Sequence, residues 1–193
     1  MDITEIGPFK RIVVPDEWKR TGIRVPQANR QELPVVKLVL PELEDKLEIG
    51  IFYRGRLESE ADGENFRALL NQYKTVTEPA SLGPGQIRSL QRILNLAGFN
   101  QYSFPRHMTG YSADFQLRTA QVLVINGRPV LRVDGEFKAD QAADTFYECL
   151  YVEAGNKGRK IYELYLRAAD RHNYMQALTV FRHMCTTIGW NQL

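Results

Sequence analysis

Ala120-Gln-Val-Leu-Val-Ile125 and Arg128-Pro-Val-Leu-Arg-Val133, separated only by Asn126-Gly127, decide the fold class of this chain. Two β-branched runs around Asn-Gly are the strongest short-range hairpin signal, because a type I′ turn needs φ > 0 at both central residues and this pair tolerates it. Residues 146–152 and 160–166 read as a second strand pair, turned by Ala154-Gly-Asn-Lys-Gly158. Tyr174, Ala177, Leu178, Phe181, Met184, Cys185 and Ile188 then recur at helical spacing and lay one apolar stripe along a last helix. The stretch specifies strands with a helix across them. The expected class is α+β, a twisted antiparallel sheet of about five to seven strands flanked by helices as an α/β/α sandwich.

Upstream, residues 7–15 read as a strand closed by Pro15, with Trp18 docked on the sheet after the turn at Asp16-Glu17. Residues 33–40 and 47–53 are the next strands, joined by a short charged connection that suits an antiparallel pair. Residues 58–74 form the first helix: Phe66, Leu69, Leu70 and Tyr73 share a face, and acids gather at the N-terminal end, where the helix dipole favours them. Residues 84–97 form a second, with Pro84 near its start, Ile87, Leu90, Ile93, Leu94 and Ala97 as its stripe, and Gly98 placed to end it. The chain reads as a single domain over 1–193 with an inserted helical element at 78–110.

With 193 residues and 44% hydrophobic side chains, the chain carries enough apolar surface for a substantial core. Its 25 basic and 23 acidic residues nearly balance, which argues against a nucleic-acid surface; Lys10, Arg11, Lys19, Arg20, Arg24 and Arg30 bias the N-terminal segment but read as solvated charge. The first thirty residues lack the apolar core of a secretory signal, and no run approaches the ~20 apolar residues of a membrane span, so the expected location is cytoplasmic. Cys149 and Cys185 fall on a strand and on the last apolar stripe, where a buried hydrophobe is the usual role.

The hairpin register pairs Ile125 with Arg128, hence Val122 with Leu131 and Ala120 with Val133, and assigns these to the core face. The other face carries Gln121 opposite Arg132 and Thr119 opposite Asp134, with Leu123 and Val130 between them, and is expected to be only partly covered. In the second pair, a register with Glu153 opposite Arg159 puts Glu148 and Glu163 on opposite faces and gathers Tyr147, Tyr151 and Tyr165 around Glu163.

Other chemistry is set aside on spacing. Glu58-Ser-Glu-Ala-Asp62-Gly63 begins like a calcium loop, but the position of the bidentate carboxylate is Leu69. Gly110-Tyr-Ser112 lacks the second glycine of a nucleophile elbow, and Gly83-Pro-Gly85 lacks the lysine of a phosphate loop. Of the three histidines, His172 and His183 lie about 16 Å apart along one helix, too far for one metal ion, and His107 has no companion. No metal, cofactor or small-molecule ligand is assigned.

Gly7-Pro-Phe9 followed by Trp18, an early helix, a hairpin containing Asn126-Gly127-Arg128, two further strands and a last helix ending Ile188-Gly-Trp190 together resemble the PsbP-like α/β/α sandwich superfamily. The resemblance is in element order, clearest over 111–190 and weaker at 7–18 and 58–73; the helix at 84–97 departs from the pattern. That superfamily includes photosystem II extrinsic subunits, a Ran-binding nuclear import factor, bacterial lipoproteins and the small chaperones of type VI secretion Rhs toxins. The resemblance implies a non-enzymatic binding protein, and no family site residue transfers. The leading expectation is an adaptor, chaperone or assembly subunit of a bacterial-type protein complex, partnered by another protein or a second copy. Leu123, Arg128, Val130, Arg132, Tyr147, Tyr151 and Tyr165 are the candidate contacts, since apolar residues interleaved with arginine and tyrosine favour interface cores. The competing expectation is an enzyme using Glu163 with a neighbouring tyrosine as acid and base.

Overall fold

The structure, a computed structural model, describes residues 1–21, 33–43, 46–57, 59–94, 113–139, 145–155 and 159–192. A hairpin of β1 (Asp2–Ile6) and β2 (Phe9–Val13) opens the chain, followed by β3 (Lys19–Arg20), β4 (Leu33–Val39) and β5 (Leu47–Arg56). Helix α1 (Glu60–Asn71), β6 (Ala80–Ser81) and α2 (Pro84–Leu94) come next, then β7 (Ala113–Ile125), β8 (Arg128–Ala139), β9 (Thr145–Ala154), β10 (Lys160–Ala168), α3 (Arg171–Thr186) and β11 (Gly189–Trp190). The main sheet is eight-stranded, in the order β3-β4-β5-β10-β9-β8-β7-β6, and β1-β2-β11 form a smaller sheet. All the strand pairs described are antiparallel.

Local chemistry sets the helix starts. Ser59 Oγ accepts the Asp62 amide at 3.1 Å to cap α1, and Asp170 Oδ1 accepts the Asn173 amide at 2.8 Å to cap α3. Pro84 opens α2, where its missing N–H costs nothing. Two cores lie on opposite faces of the main sheet. Phe66 and Leu70 of α1 and Leu90 and Leu94 of α2 pack on Ala120, Val122, Leu131 and Val133. Tyr174, Ala177, Phe181, Met184 and Cys185 of α3 pack on Ile49, Ile51, Leu150, Val152, Leu164 and Leu166, joined by Ile3, Phe9, Ile12 and Trp18. Each fully buried large side chain contributes roughly 1.5–3 kcal/mol. The result is the expected α+β sandwich.

Four expectations need correction. The eight-stranded sheet exceeds the expected count, because β3 and β6 are two-residue strands below the length that period-2 patterning reveals. Gly7-Pro8 is the turn of a hairpin rather than the start of a strand; Gly7 has φ 53° and the strand before it is β1. Glu153 faces Ile161, a shift of two residues from the expected register, which preserves the assignment of faces. Ile125 lies three residues from Val122 and therefore on the opposite face, in the α3 core. Of residues 78–110, expected to form an inserted helical element, those to Leu94 are described; Gly98, His107 and the rest of 95–110 lie outside the described residues.

Candidate functional site

Asn126 and Gly127 adopt φ 47° and 81°, the left-handed pair that a type I′ turn requires. This aims the Asn126 side chain at the end of α3, where its Nδ2 donates to the carbonyls of Thr186 at 3.1 Å and Ile188 at 2.8 Å. The Trp190 indole N–H donates to the Ile125 carbonyl at 2.7 Å, and the Arg128 guanidinium sits 4.9 Å from the Trp190 ring centroid. Arg128 also donates to the Glu153 backbone carbonyl and lies 3.8 Å from the Glu153 carboxylate, which Arg67 of α1 holds at 2.9 Å. Burial pulls the Arg128 pKa below its ordinary value, against the opposing pull of Glu153. Arg128 thus fastens the hairpin to β9 and β11.

A helix is ~10–12 Å across and strands lie ~4.8 Å apart, so one helix covers two or three strands. Helix α3 packs on β5, β10 and β9, and the α3-side face of β7 and β8 extends beyond it. A cleft of about 290 Å³ lies along this flank, lined by the hairpin, β9 and the last turn of α3. Leu123, Ile125 and Leu150 supply apolar walls, and Arg132, Glu148 and Arg182 the charge. Glu148 is 1% exposed and both its oxygens accept from Arg182, Nε at 2.9 Å and Nη2 at 2.6 Å. This bidentate contact raises the Arg182 pKa. Arg132 donates to Gln121 across the hairpin, as their register position requires.

The opposite face holds the tyrosines. Tyr147 and Tyr151 are 1% exposed and belong to the α1–α2 core. Tyr147 donates to the Glu163 carboxylate, Arg54 Nε stands 3.6 Å from its other oxygen, and Tyr151 lies directly opposite on β9. Tyr165 stacks on Tyr147 with centroids 5.7 Å apart and donates to Glu48 Oε1 at 3.0 Å, while Arg167 donates to Glu48 Oε2 at 3.1 Å. Gly50 makes room for this: a Cβ there would stand 2.6 Å from the Tyr165 hydroxyl oxygen. Burial, reinforced by Glu163, holds the Tyr147 and Tyr151 pKa values well above the ordinary range, and burial with Glu48 does the same for Tyr165. Tyr147 and Tyr165 are locked as donors to buried carboxylates.

The cleft therefore unites Leu123 and Arg132, two of the seven residues singled out by sequence, beside Val130, which is fully buried in the α3 core. Arg128 turns away to Trp190, and Tyr147, Tyr151 and Tyr165 lie across the sheet. Glu148 and Arg182 were missed as a pair. Their signal was an acid on the α3-facing parity of β9 and an arginine one residue after Phe181 of the apolar stripe. Cys149 and Cys185 are buried free thiols, one in each core, and His172 and His183 are exposed. Among the described residues no cluster of three His, Cys, Asp or Glu side chains could hold a metal ion, and no helix is long and apolar enough to cross a membrane.

Element order, two opposed cores and a terminal helix across an antiparallel sheet match a known architecture. Over 99% of this chain and 92% of the other, the structure superposes on the solution structure of cyanobacterial PsbP from Synechocystis sp. PCC 6803, with a TM-score of 0.52 and 11% sequence identity. The fold is PsbP-like. At that identity the likeness to PsbP is one of fold. No protein-family model and no characterised protein sequence matches the chain.

Proposed function

We propose that this protein is a non-enzymatic accessory subunit, an adaptor or chaperone-like component of a cytoplasmic, bacterial-type protein complex, which binds another protein or a second copy of itself through the flank of its sheet beside α3. The observation that carries the reading is the β7–β8 face that the described residues leave partly uncovered, where apolar Leu123 stands beside Arg132 at a cleft. Such a mixture of apolar and guanidinium surface suits an interface. The PsbP-like fold supports the reading as an analogy of architecture, the resemblance to small toxin chaperones being one form of it. Among the described residues Arg128 contributes indirectly, by holding the hairpin in place.

The acid–base reading around Glu163 needs a substrate to reach a carboxylate that is 0% exposed, within the core under α1 and α2. Its phenol and guanidinium contacts suit a buried charge satisfied in place. Native purification from the host, followed by size-exclusion chromatography and mass analysis, tests the proposal. One companion protein or a second copy at fixed ratio is the expected result; a protein that always runs alone as a monomer contradicts it.

A further inference from the structure

The cleft beside α3 holds charges of both signs; its one carboxylate has both oxygens engaged, while its two guanidinium groups keep N–H groups beyond those already used. Glu148 gives both oxygens to Arg182. The carbonyls of Thr186 and Ile188, at the helix end whose dipole would repel an anion, accept from Asn126. Arg182 uses two of a guanidinium's five N–H groups on Glu148, and its side chain is 47% exposed. Arg132 uses one Nη2 N–H on Gln121, which leaves the rest of its guanidinium edge to the cleft; among the described residues its Nε, closed off from solvent, has no acceptor. Two guanidinium groups against one carboxylate leave the lining one positive charge in excess.

The volume narrows the ligand further. About 290 Å³ lies just below the ~300–1,000 Å³ of small-ligand pockets, space for an apolar side chain and an adjoining polar group. The apolar group that fills the walls and the anion that meets the arginines must therefore sit on the same residue. In a polypeptide built from apolar and acidic residues, only the last residue carries both an apolar side chain and a carboxylate. Resting on the protein-binding reading above, we infer that the cleft receives the C-terminus of a partner polypeptide, its last side chain against Leu123, Ile125 and Leu150 and its carboxylate on the remaining N–H groups of Arg132 and Arg182.

Fluorescence anisotropy with the full-length protein tests this, using fluorescein-labelled pentapeptides Gly-Ser-Gly-Ala-X with X as Leu, Phe or Val, each as free acid and as amide. At least one free acid should bind saturably and its amide about tenfold or more weaker, the loss expected for a charge-assisted hydrogen bond. Arg132→Gln should weaken the acid about tenfold, as should Glu148→Gln with Arg182→Gln, which removes the ion pair without stranding a buried charge. If either variant fails to fold, methyl NMR on the wild type decides, since Leu123 and Leu150 should shift with acid and not with amide. No saturable binding by any free acid, equal binding of acid and amide, or shifts confined to other regions overturns the inference. Octanoate competing as well as the best peptide would assign the cleft to free acids and overturn the polypeptide source. A companion that co-purifies while no free acid binds removes the C-terminal mode and leaves the protein-binding reading standing; peptide binding by a protein that purifies alone does the reverse.

Discussion

The two faces of the main sheet use the same kinds of residue to opposite ends. On the tyrosine side of the sheet, Glu163 and Glu48 are met by Tyr147, Arg54, Tyr165 and Arg167 from the same or neighbouring strands, with Lys37 reaching Glu48 from the surface. Beside α3, Glu148 is met from across the layer by a half-exposed Arg182, and the adjoining space stays open as a cleft. The same carboxylate–guanidinium chemistry is closed at Glu163 and opens to solvent at Glu148. What differs among the described residues is cover: two helices pack the outer half of the sheet on one side, and on the other α3 packs mainly on β10, β9 and β5, reaching β7 at its edge through Tyr174 and Arg118.

The largest way to break this comparison is to remove one arginine from each face. Arg54→Ala strands Glu163 in the core and should cost about 3–5 kcal/mol in urea denaturation. Arg182→Ala should cost only about 1–2 kcal/mol, because solvent reaches Glu148 once the half-exposed partner is gone. Equal losses would erase the distinction between the faces. Phe181→Ala, at the centre of the α3 stripe and fully buried, should also cost about 3–5 kcal/mol; an unchanged midpoint would show that α3 does not carry that core.

A pH titration sharpens the contrast. The Tyr147, Tyr151 and Tyr165 pKa values are raised by burial and by the neighbouring carboxylates, so these phenols keep their protons after the unfolded chain has ionised at about pH 10. Their stabilisation is complete below that pH and is lost as pH rises above it, by up to about 1.4 kcal/mol per pH unit for each tyrosine. Stability measured between pH 8 and 11.5 should fall more gently in Tyr147→Phe than in the wild type. Identical slopes would place Tyr147 in water. The smallest expected effect belongs to the cleft: Leu123→Glu, at a half-buried position, should change stability by about 1 kcal/mol or less.

The register of the hairpin was legible because a two-residue Asn-Gly turn leaves one pairing, and every pair from Thr119–Asp134 to Ile125–Arg128 follows from it, although the face of Ile125 and the full length of the strands did not. The stripe of α3 was legible for the same kind of reason, a strong period from Tyr174 to Cys185, while Ile188 is buried just beyond the end of the helix. Register across the second strand pair was not, since residues 154–158 are too long a turn to fix it, and only the parity survived the shift of two. The site was half legible. Sequence placed Leu123 and Arg132 on a partly covered face, but the tyrosine-rich parity looked equally available because nothing in a strand pattern tells which helix lands where. The Glu148–Arg182 contact joins residues 34 apart in sequence, and neither carries a local signal of the other.

The central claim is that the α3 flank is the binding face and the tyrosine face is core. Its most direct measurement is native purification in parallel of the wild type, the Leu123→Glu, Arg132→Glu double variant and Tyr147→Phe, each checked for folding by circular dichroism. The double variant should stay folded and lose the companion, while Tyr147→Phe, with its site under α1 and α2, should keep it. A folded double variant that retains the companion, or its loss in Tyr147→Phe alone, would contradict the account.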